Sequence, residues 1–306
     1  NDLTDTKTLA HLLRHDTVYG PFEGTVVAEE RSLVINGKKI AVTAEKEPKA
    51  LPWKKMKVDV VLECTGRFTN LEGASDHIKA GAKRVIISAP AKGEGVPTHV
   101  MGVNDQGAGE DAKVINNASC TTNCIAPVAA VLEKAFGIKR AMMTTVHSYT
   151  ASQVLQDAPA KDLREARAAA ENIVPTTTGA AIATTQVIPE LEGLFDGLSV
   201  RVPTPVVSLS DFTLLLEKKV TVDEINDCFR RASEMAPWKG ILTVTDEPLV
   251  SSDFIGNPAS CIVDLGLTRV VGGDFVKVVA WYDNEWGYSN RLVEMAMVVG
   301  QSLKNA

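Results

Sequence analysis

The chain has 306 residues, enough at ordinary domain size for two domains with sizeable cores. Its 32 Lys and Arg against 38 Asp and Glu give a formal charge of −6, which argues against a dedicated nucleic-acid binder and against a polybasic membrane-surface protein. Hydrophobic residues at 45% and charged residues at 23% exclude disorder as the main state, and no apolar run approaches the roughly 18 residues of a bilayer span. Asn1-Asp2-Leu3-Thr4-Asp5 lacks the basic-then-apolar layout of a secretory signal. Five scattered cysteines make no disulfide framework. The expectation is a reducing compartment in which one thiol is free for chemistry.

In chain order, the first elements alternate between strand and helix. Leu33–Ile35 and Ile40–Thr43 flank Asn36-Gly37, a type I′ hairpin signal. Val58–Leu62 is an apolar run ended by Cys64-Thr65-Gly66. A helix pattern follows over roughly 70–80, then Arg84–Ile87 and Val114-Ile115. Short, nearly continuous apolar strands separated by helices predict a parallel sheet covered on both faces, with ligands at the carboxyl ends of its strands. Those ends are Thr65-Gly66-Arg67, Ser88-Ala89-Pro90 and Asn116–Cys120.

The later part changes character. Val200–Leu216 alternates in the half-buried antiparallel manner. Thr221-Val222-Asp223-Glu224 is a capping box that opens a helix toward Met235. Strands near 260–265 and 275–281 are expected to join through Gly272-Gly273-Asp274. Leu292, Met295, Ala296, Val299 and Leu303 form a 3.6-period stripe, so the C-terminus reads as an amphipathic helix. This α+β organisation implies a second domain.

Ser119-Cys120-Thr121-Thr122-Asn123-Cys124 is the densest polar cluster. Ser119 is a good N-cap, which puts Cys120 in the first helical turn, with Pro127 a point of restriction further along. Positive partial charge at a helix N-terminus lowers a thiol pKa. Lowering it by roughly two units takes about 2.7 kcal/mol, whereas an exposed helix end supplies about 0.3–1 kcal/mol. A second positive or donor group is needed, and a histidine is the obvious candidate. His11, His15, His77 and His99 sit among polar residues and read as solvated. His147 ends the strand-like run Met142–Val146 and is followed by Ser148-Tyr149-Thr150. Spacing alone leaves the Cys120/His147 pair open between a catalytic couple and a structural histidine at a strand end. Cys124, four residues after Cys120, faces the same way on the helix, but no further ligands are spaced for a metal. Cys64, Cys228 and Cys261 read as buried packing residues. Arg201 is a charge on an apolar strand that needs a partner, either a structural acid or an anion. Pro175-Thr176-Thr177-Thr178-Gly179 precedes the helix-like Ala180–Val187 and suits an anion, as an unliganded cap would also look. Arg164 and Arg167 read as a solvated helical face.

Together these segments resemble the glyceraldehyde-3-phosphate dehydrogenase family. The resemblance is carried by Ala118–Cys124, Thr144–Thr150 and Trp281-Tyr282-Asp283-Asn284-Glu285. Glu63–Phe68, Ile87–Lys92 and Arg201-Val202-Pro203-Thr204-Pro205 also match, and the likeness runs in order from Asn1 to about Leu303. It implies a Rossmann-type doubly wound parallel sheet, incomplete at its N-terminus, plus an α+β catalytic domain with a mostly antiparallel sheet. The boundaries it implies are residues 1–119 for dinucleotide binding, with a helix over 285–306 packing back on them, and 120–284 for catalysis. It implies Cys120 as nucleophile and His147 as its base. Thr150 and Arg201 would bind the substrate phosphate, and Ser119, Thr121, Thr178 and Gly179 the attacking inorganic phosphate. NAD would be held by Asp2 at the adenosine ribose, Lys46 on the adenine side, and Ser88 and Asn284 on the nicotinamide side. A carboxylate at Asp2 favours NAD over NADP. The implied substrate is glyceraldehyde 3-phosphate. The implied assembly is a cytoplasmic homotetramer in which the loop over roughly 150–172 reaches a neighbour's cofactor.

Three features depart from the family pattern. No G-x-G-x-x-G occurs in the chain, and Asn1-Asp2 matches the end of the family's second strand; a strand, Gly-rich loop and helix of roughly 30 residues are expected ahead of it in the whole protein. Glu165 stands where many bacterial members have Arg, and Ile182 where Lys is common; no physical consequence of Ile182 is evident. The neighbouring alternatives are erythrose-4-phosphate dehydrogenase and, were the Gly-rich loop truly absent, a catalytically inactive binding protein.

Overall fold

The computed structural model describes residues 1–110 and 112–305, so Ala306, the last residue of the helix expected over 285–306, lies outside the described residues. Strands Val60–Glu63, Arg84–Ile87 and Val114–Asn116 run parallel in that order. Their side chains alternate between two covered faces. Val61, Val85, Ile87 and Val114 pack with Trp53, Ala74 and Ala80 on one side. Ile86 and Ile115, with Val60 and Leu62, meet Leu292, Met295 and Val299 on the other. Burial on both faces is why these strands read as continuous apolar runs. Helix Leu71–Lys79 contributes to the first cover, its N-terminus capped by the Asn70 side chain accepting from Gly73 N at 2.8 Å. The C-terminal helix Trp286–Asn305 forms the second. Burying each of its core side chains is worth roughly 1.5–3 kcal/mol.

That helix springs from the larger sheet at Asp283, which is almost fully buried. Its carboxylate accepts from the backbone N–H groups of Glu285 (3.0 Å), Trp286 (2.8 Å) and Gly256 (2.9 Å) and from the Tyr19 hydroxyl (2.9 Å). A separate meander comprises Val26–Glu29, Ser32–Ile35 and Lys38–Ala41. Its second turn has φ of 48° at Asn36 and 76° at Gly37, the left-handed pair that a type I′ hairpin requires.

The larger sheet holds eight strands among the described residues. Its order is Val174–Thr176, Phe195–Val202, Ile138–Ser148, Ser208–Leu216, Phe275–Tyr282, Cys261–Asp264 and Leu242–Thr245, with Arg269–Val271 also paired to Phe275–Tyr282. Two pairings are parallel, Phe195–Val202 with Ile138–Ser148 and Leu242–Thr245 with Cys261–Asp264; the rest are antiparallel. Helix Cys120–Phe136 packs on one face through Ile125, Val128, Ala129 and Leu132, against Met143, Phe212, Leu214 and Val278. It is apolar nearly all round because the core surrounds it, and it runs unbroken through Pro127. The opposite face is open: Met142 is 63% exposed, Phe275 49% and Leu198 44%.

Three local expectations change. Residues 200–216 form parts of two strands, the first parallel to Ile138–Ser148, because alternation reports a half-buried face and not strand direction. Gly272-Gly273-Asp274 closes a hairpin between Arg269–Val271 and Phe275–Tyr282, so it does not join directly to Cys261–Asp264. The Arg164/Arg167 stretch consists of turns and not helix, and Arg167 pairs with Asp157 at the surface. The capping box at Thr221 forms as expected, opening helix Val222–Glu234.

Candidate active site

A strained turn delivers Cys120 to its position. After strand Val114–Asn116, the Asn116 side chain accepts from Ala118 N (3.0 Å) and donates to Pro97 O (3.1 Å) and Thr98 Oγ1 (3.0 Å). Ala118 lies at φ 54°, a left-handed conformation that costs a non-glycine residue about 1–3 kcal/mol. Neighbours hold it there. Asn123 Nδ2 donates to Asn117 O and Ser119 O, both at 2.9 Å, and the Tyr288 hydroxyl donates to Ala118 O at 3.2 Å. The turn lets Ser119 cap the helix, accepting from Thr122 N at 3.0 Å, and makes Cys120 the first helical residue.

His147 reaches this thiol from strand Ile138–Ser148, with Nε2 3.5 Å from Cys120 Sγ. Arg201 lies opposite His147 in the parallel register of the next strand. Its Nη1 is 2.5 Å from His147 Nδ1 and 3.1 Å from Ser148 O, the carbonyl that also lies 2.8 Å from Nδ1. The imidazole has two ways to satisfy these neighbours. With the proton on Nδ1 it donates to Ser148 O and leaves Nε2 free to accept from the thiol. With the proton on Nε2 it presents Nδ1 to the guanidinium. Arg201 Nε is buried without a partner. The strand charge singled out in the sequence therefore borders the Cys120/His147 pair, and no acid neutralises it among the described residues.

The electrostatics depart from expectation. A lowered thiol pKa was expected from the helix terminus, but burial pushes Cys120 up, with the Arg201 charge opposing in part. Burial, and then Arg201, bring His147 down to about 4. Both influences favour the uncharged forms of the pair, a thiol beside an imidazole.

The remaining predicted residues fall into two groups. Ser119 and Thr121 flank Cys120, but the Thr121 hydroxyl is turned inward to Tyr282 OH at 3.0 Å. Gly179 caps helix Ala180–Val187, and Thr178 Oγ1 accepts from Ala180 N at 3.2 Å. That helix packs against Cys120–Phe136, although no hydrogen bond among the described residues joins Thr178 or Gly179 to Cys120. Thr150 exchanges a hydrogen bond with Ser152 Oγ at 3.0 Å. Asp2 and Lys46 line a separate cavity of about 700 Å³ with Thr65, Arg67 and Phe68. Ser88 follows the middle parallel strand and donates its N–H to Glu63 O at 3.0 Å. Asn284 is buried, its Oδ1 accepting from Ser148 Oγ (3.0 Å) and Ser208 Oγ (3.2 Å), which leaves Nδ2 as its donor.

The Asp2 end of this cavity suits the ribose of a dinucleotide. Hydrogen bonds from Thr4, backbone first and then side chain, hold the Asp2 carboxyl below its usual range, so an ionised acceptor faces the cavity. Such a group suits the two hydroxyls of a ribose and repels a 2′-phosphate.

Sequence reading missed several residues. Tyr282 is wholly buried; its hydroxyl bridges Thr121 Oγ1 (3.0 Å) and Thr145 Oγ1 (2.8 Å), and its ring stands edge-on to His147 at 5.9 Å. Burial raises its pKa strongly, so it stays a phenol. The only sequence signal was its place in Trp281–Glu285. His77 and His99, expected in solvent, are 4% and 5% exposed. Of the three cysteines read as buried, Cys261 is, Cys228 is half-buried and Cys64 is exposed.

Over nearly its whole length the chain is similar to known proteins of one family. Residues 1–71 match the family model described as glyceraldehyde 3-phosphate dehydrogenase, NAD binding domain, and residues 119–284 match its C-terminal domain. Among curated relatives, the glyceraldehyde-3-phosphate dehydrogenase of Streptomyces coelicolor is 52% identical over 304 residues, covering 99% of this chain and 90% of the relative. That of Geobacillus stearothermophilus is 55% identical over 300 residues, covering 98% and 89%. The chloroplastic GAPB protein of Arabidopsis thaliana is 50% identical over 309 residues, covering 100% and 69%. A Rossmann-type sheet, a mixed catalytic sheet and identity of this extent place the chain in the glyceraldehyde-3-phosphate dehydrogenase family.

Proposed function

We propose that this chain oxidises D-glyceraldehyde 3-phosphate to 1,3-bisphosphoglycerate in glycolysis, through a thioester on Cys120. The observation that carries the reading is Cys120 Sγ at a helix N-terminus, 3.5 Å from an imidazole that a guanidinium also touches. Residues 1–119 with the C-terminal helix would hold NAD, and residues 120–284 the reacting groups. Asp2, Lys46, Ser88 and Asn284 are the residues proposed to hold the dinucleotide, which when bound takes up the hydride released from the substrate carbon.

Cys120 Sγ attacks the aldehyde carbon, and the thiol proton passes through His147 Nε2 to the new hydroxyl of the hemithioacetal. The same nitrogen then removes that hydroxyl proton as the carbonyl re-forms, leaving a thioester. The Cys120 backbone N–H and the imidazole N–H stabilise the transient oxyanion. A phosphate oxygen next attacks the thioester carbon, the C–S bond breaks, and Cys120 leaves as a thiolate that regains its proton. Thr150 and Arg201 would bind the substrate phosphate, whose oxygens supply the acceptor that Arg201 Nε lacks. Ser119, Thr121, Thr178 and Gly179 would bind the attacking phosphate. Since the Thr121 hydroxyl is engaged by Tyr282, its contribution would come from the backbone.

Inorganic phosphate is therefore expected to be a co-substrate. Progress curves followed as NADH should show one fast turnover and then a near-stop when phosphate is omitted. Undiminished steady-state turnover without phosphate would defeat the phosphorylating reading.

The assembly proposed is a homotetramer in the cytoplasm, where five free thiols remain reduced. The open sheet face supports a self-association surface: Met142, Leu198 and Phe275 line a cavity of about 630 Å³ beside Asp211 and Lys277. Leu198→Glu is expected to lower the mass seen by sedimentation velocity. An unchanged mass would remove this face from the assembly.

A further inference from the structure

A buried hydrogen-bonded pair that the chemistry above does not use, Glu63 and His77, forms part of the lining of the dinucleotide cavity. Glu63 ends the first parallel strand, 3% exposed, and His77 sits on helix Leu71–Lys79. His77 Nε2 is 2.8 Å from Glu63 Oε2, and Trp53 Nε1 is 3.0 Å from His77 Nδ1. The other Glu63 oxygen, Oε1, accepts from Thr65 N at 2.8 Å and from the Thr65 hydroxyl, which in turn accepts from Arg67 N at 3.1 Å. Phe68 meets the His77 ring edge-on at 6.5 Å.

The donors in this network have only one consistent direction. An indole N–H can only donate, so His77 Nδ1 must accept and the ring proton must sit on Nε2, pointing at Glu63. The backbone N–H of Arg67 makes the Thr65 oxygen an acceptor, so the Thr65 hydroxyl proton also points at Glu63. All three protons run toward the carboxylate from two elements, the arrangement that suits an ionised, acceptor-only group. Burial opposes that ionisation, but the hydrogen bonds from His77 and Thr65 outweigh it and hold the Glu63 carboxyl below its usual range. The loop so fixed is Thr65-Gly66-Arg67-Phe68, with Gly66 at φ 69°, and Thr65, Arg67 and Phe68 line the cavity of Asp2 and Lys46 together with Glu63 and His77 themselves.

We propose that Glu63 is a positioning residue for the dinucleotide: its buried carboxylate, oriented by the Trp53–His77 pair, sets the backbone of the 65–68 loop against which the cofactor lies. This rests on the reading of that cavity as the NAD site. An amide at position 63 must turn one N–H₂ group toward a donor, either Thr65 or His77, and His77 cannot reverse its tautomer while Trp53 donates to Nδ1.

Calorimetric titration of NAD into the protein tests this without turnover. Glu63→Gln is expected to raise Kd about tenfold, and to raise KM for NAD in parallel while kcat at saturating NAD stays within about twofold. Adding Trp53→Phe to Glu63→Gln frees His77 to carry its proton on Nδ1 and accept from the new amide. The double variant should recover most of the lost affinity, and ¹⁵N spectra of the NAD-free protein should show the ring proton moving from Nε2 to Nδ1. Wild-type affinity in Glu63→Gln, or additive losses in the double variant, would overturn the proposal. Should Glu63→Gln not fold, His77→Leu is expected to weaken NAD to the same degree, and His77→Gln, which keeps a donor toward Glu63, to bind as wild type. Equal affinities in those two would overturn it as well. Failure of the whole wild-type protein to bind NAD sinks the cofactor reading and this proposal together; normal wild-type binding with unaltered variants sinks this proposal alone.

Discussion

Cys120→Ser is expected to abolish the oxidation of glyceraldehyde 3-phosphate, lowering turnover by about 10⁴-fold or more. The substitution keeps the helix N-terminus, the Ser119 cap and the His147 contact but exchanges a soft thiol for a hydroxyl. The same burial that lifts the Cys120 pKa acts on the hydroxyl, whose intrinsic acidity is far lower. Nor can an oxygen ester store an activated acyl group as a thioester does. The measurement is pre-steady-state NADH formation, with intact-mass analysis of a quenched sample for the acyl adduct. The variant should show no burst and no adduct while its melting temperature stays close to the parent's. Retained turnover would remove Cys120 as the nucleophile.

Replacing the base should cost less but read out more. His147→Asn is expected to slow hydride transfer by about 10²–10⁴-fold, the usual range for a lost general base. The pH dependence carries the sharper test. Burial and Arg201 hold His147 at about 4, so in the free protein its ring remains able to accept a proton through neutral pH. The acid limb of kcat/KM is accordingly expected near 4, well below the ordinary value of about 6.5, and should be missing in the variant. The thiol runs the opposite way: its raised pKa makes alkylation by iodoacetamide accelerate as pH rises. Removing the acceptor 3.5 Å from Sγ should push that profile to still higher pH, and an unchanged profile would contradict the assigned role. The sign for stability follows by linkage. Below about 6.5 the unfolded chain protonates this ring and the folded chain does not. Acid destabilisation therefore grows from there and levels off below about 4, and His147→Asn lacks that component.

What could be read in advance was local. The Ser119 cap, the Thr221 capping box, the Asn36-Gly37 turn and the stripe Leu292–Met295–Val299 are each set by residues within a few positions of one another, and each formed. The juxtaposition of Arg201 and His147 depends instead on the parallel pairing of strands 54 residues apart in register, which no short-range pattern encodes. His77 misled for a related reason. Its neighbours in sequence are polar, but its partners are Glu63, 14 residues earlier on a strand, and Trp53 on another helix, so its burial is a property of the packed layers. For the thiol, a helix-end argument counts favourable dipoles and omits desolvation, which acts in the opposite direction at Cys120.

The anchorage of the C-terminal helix at Asp283 has a mechanical corollary. One end of that helix is rooted where the larger sheet finishes and is pinned by Tyr19, while its middle roofs the smaller sheet through Leu292, Met295 and Val299. Neither body can melt without baring an apolar flank of the other, so thermal denaturation belongs to both at once.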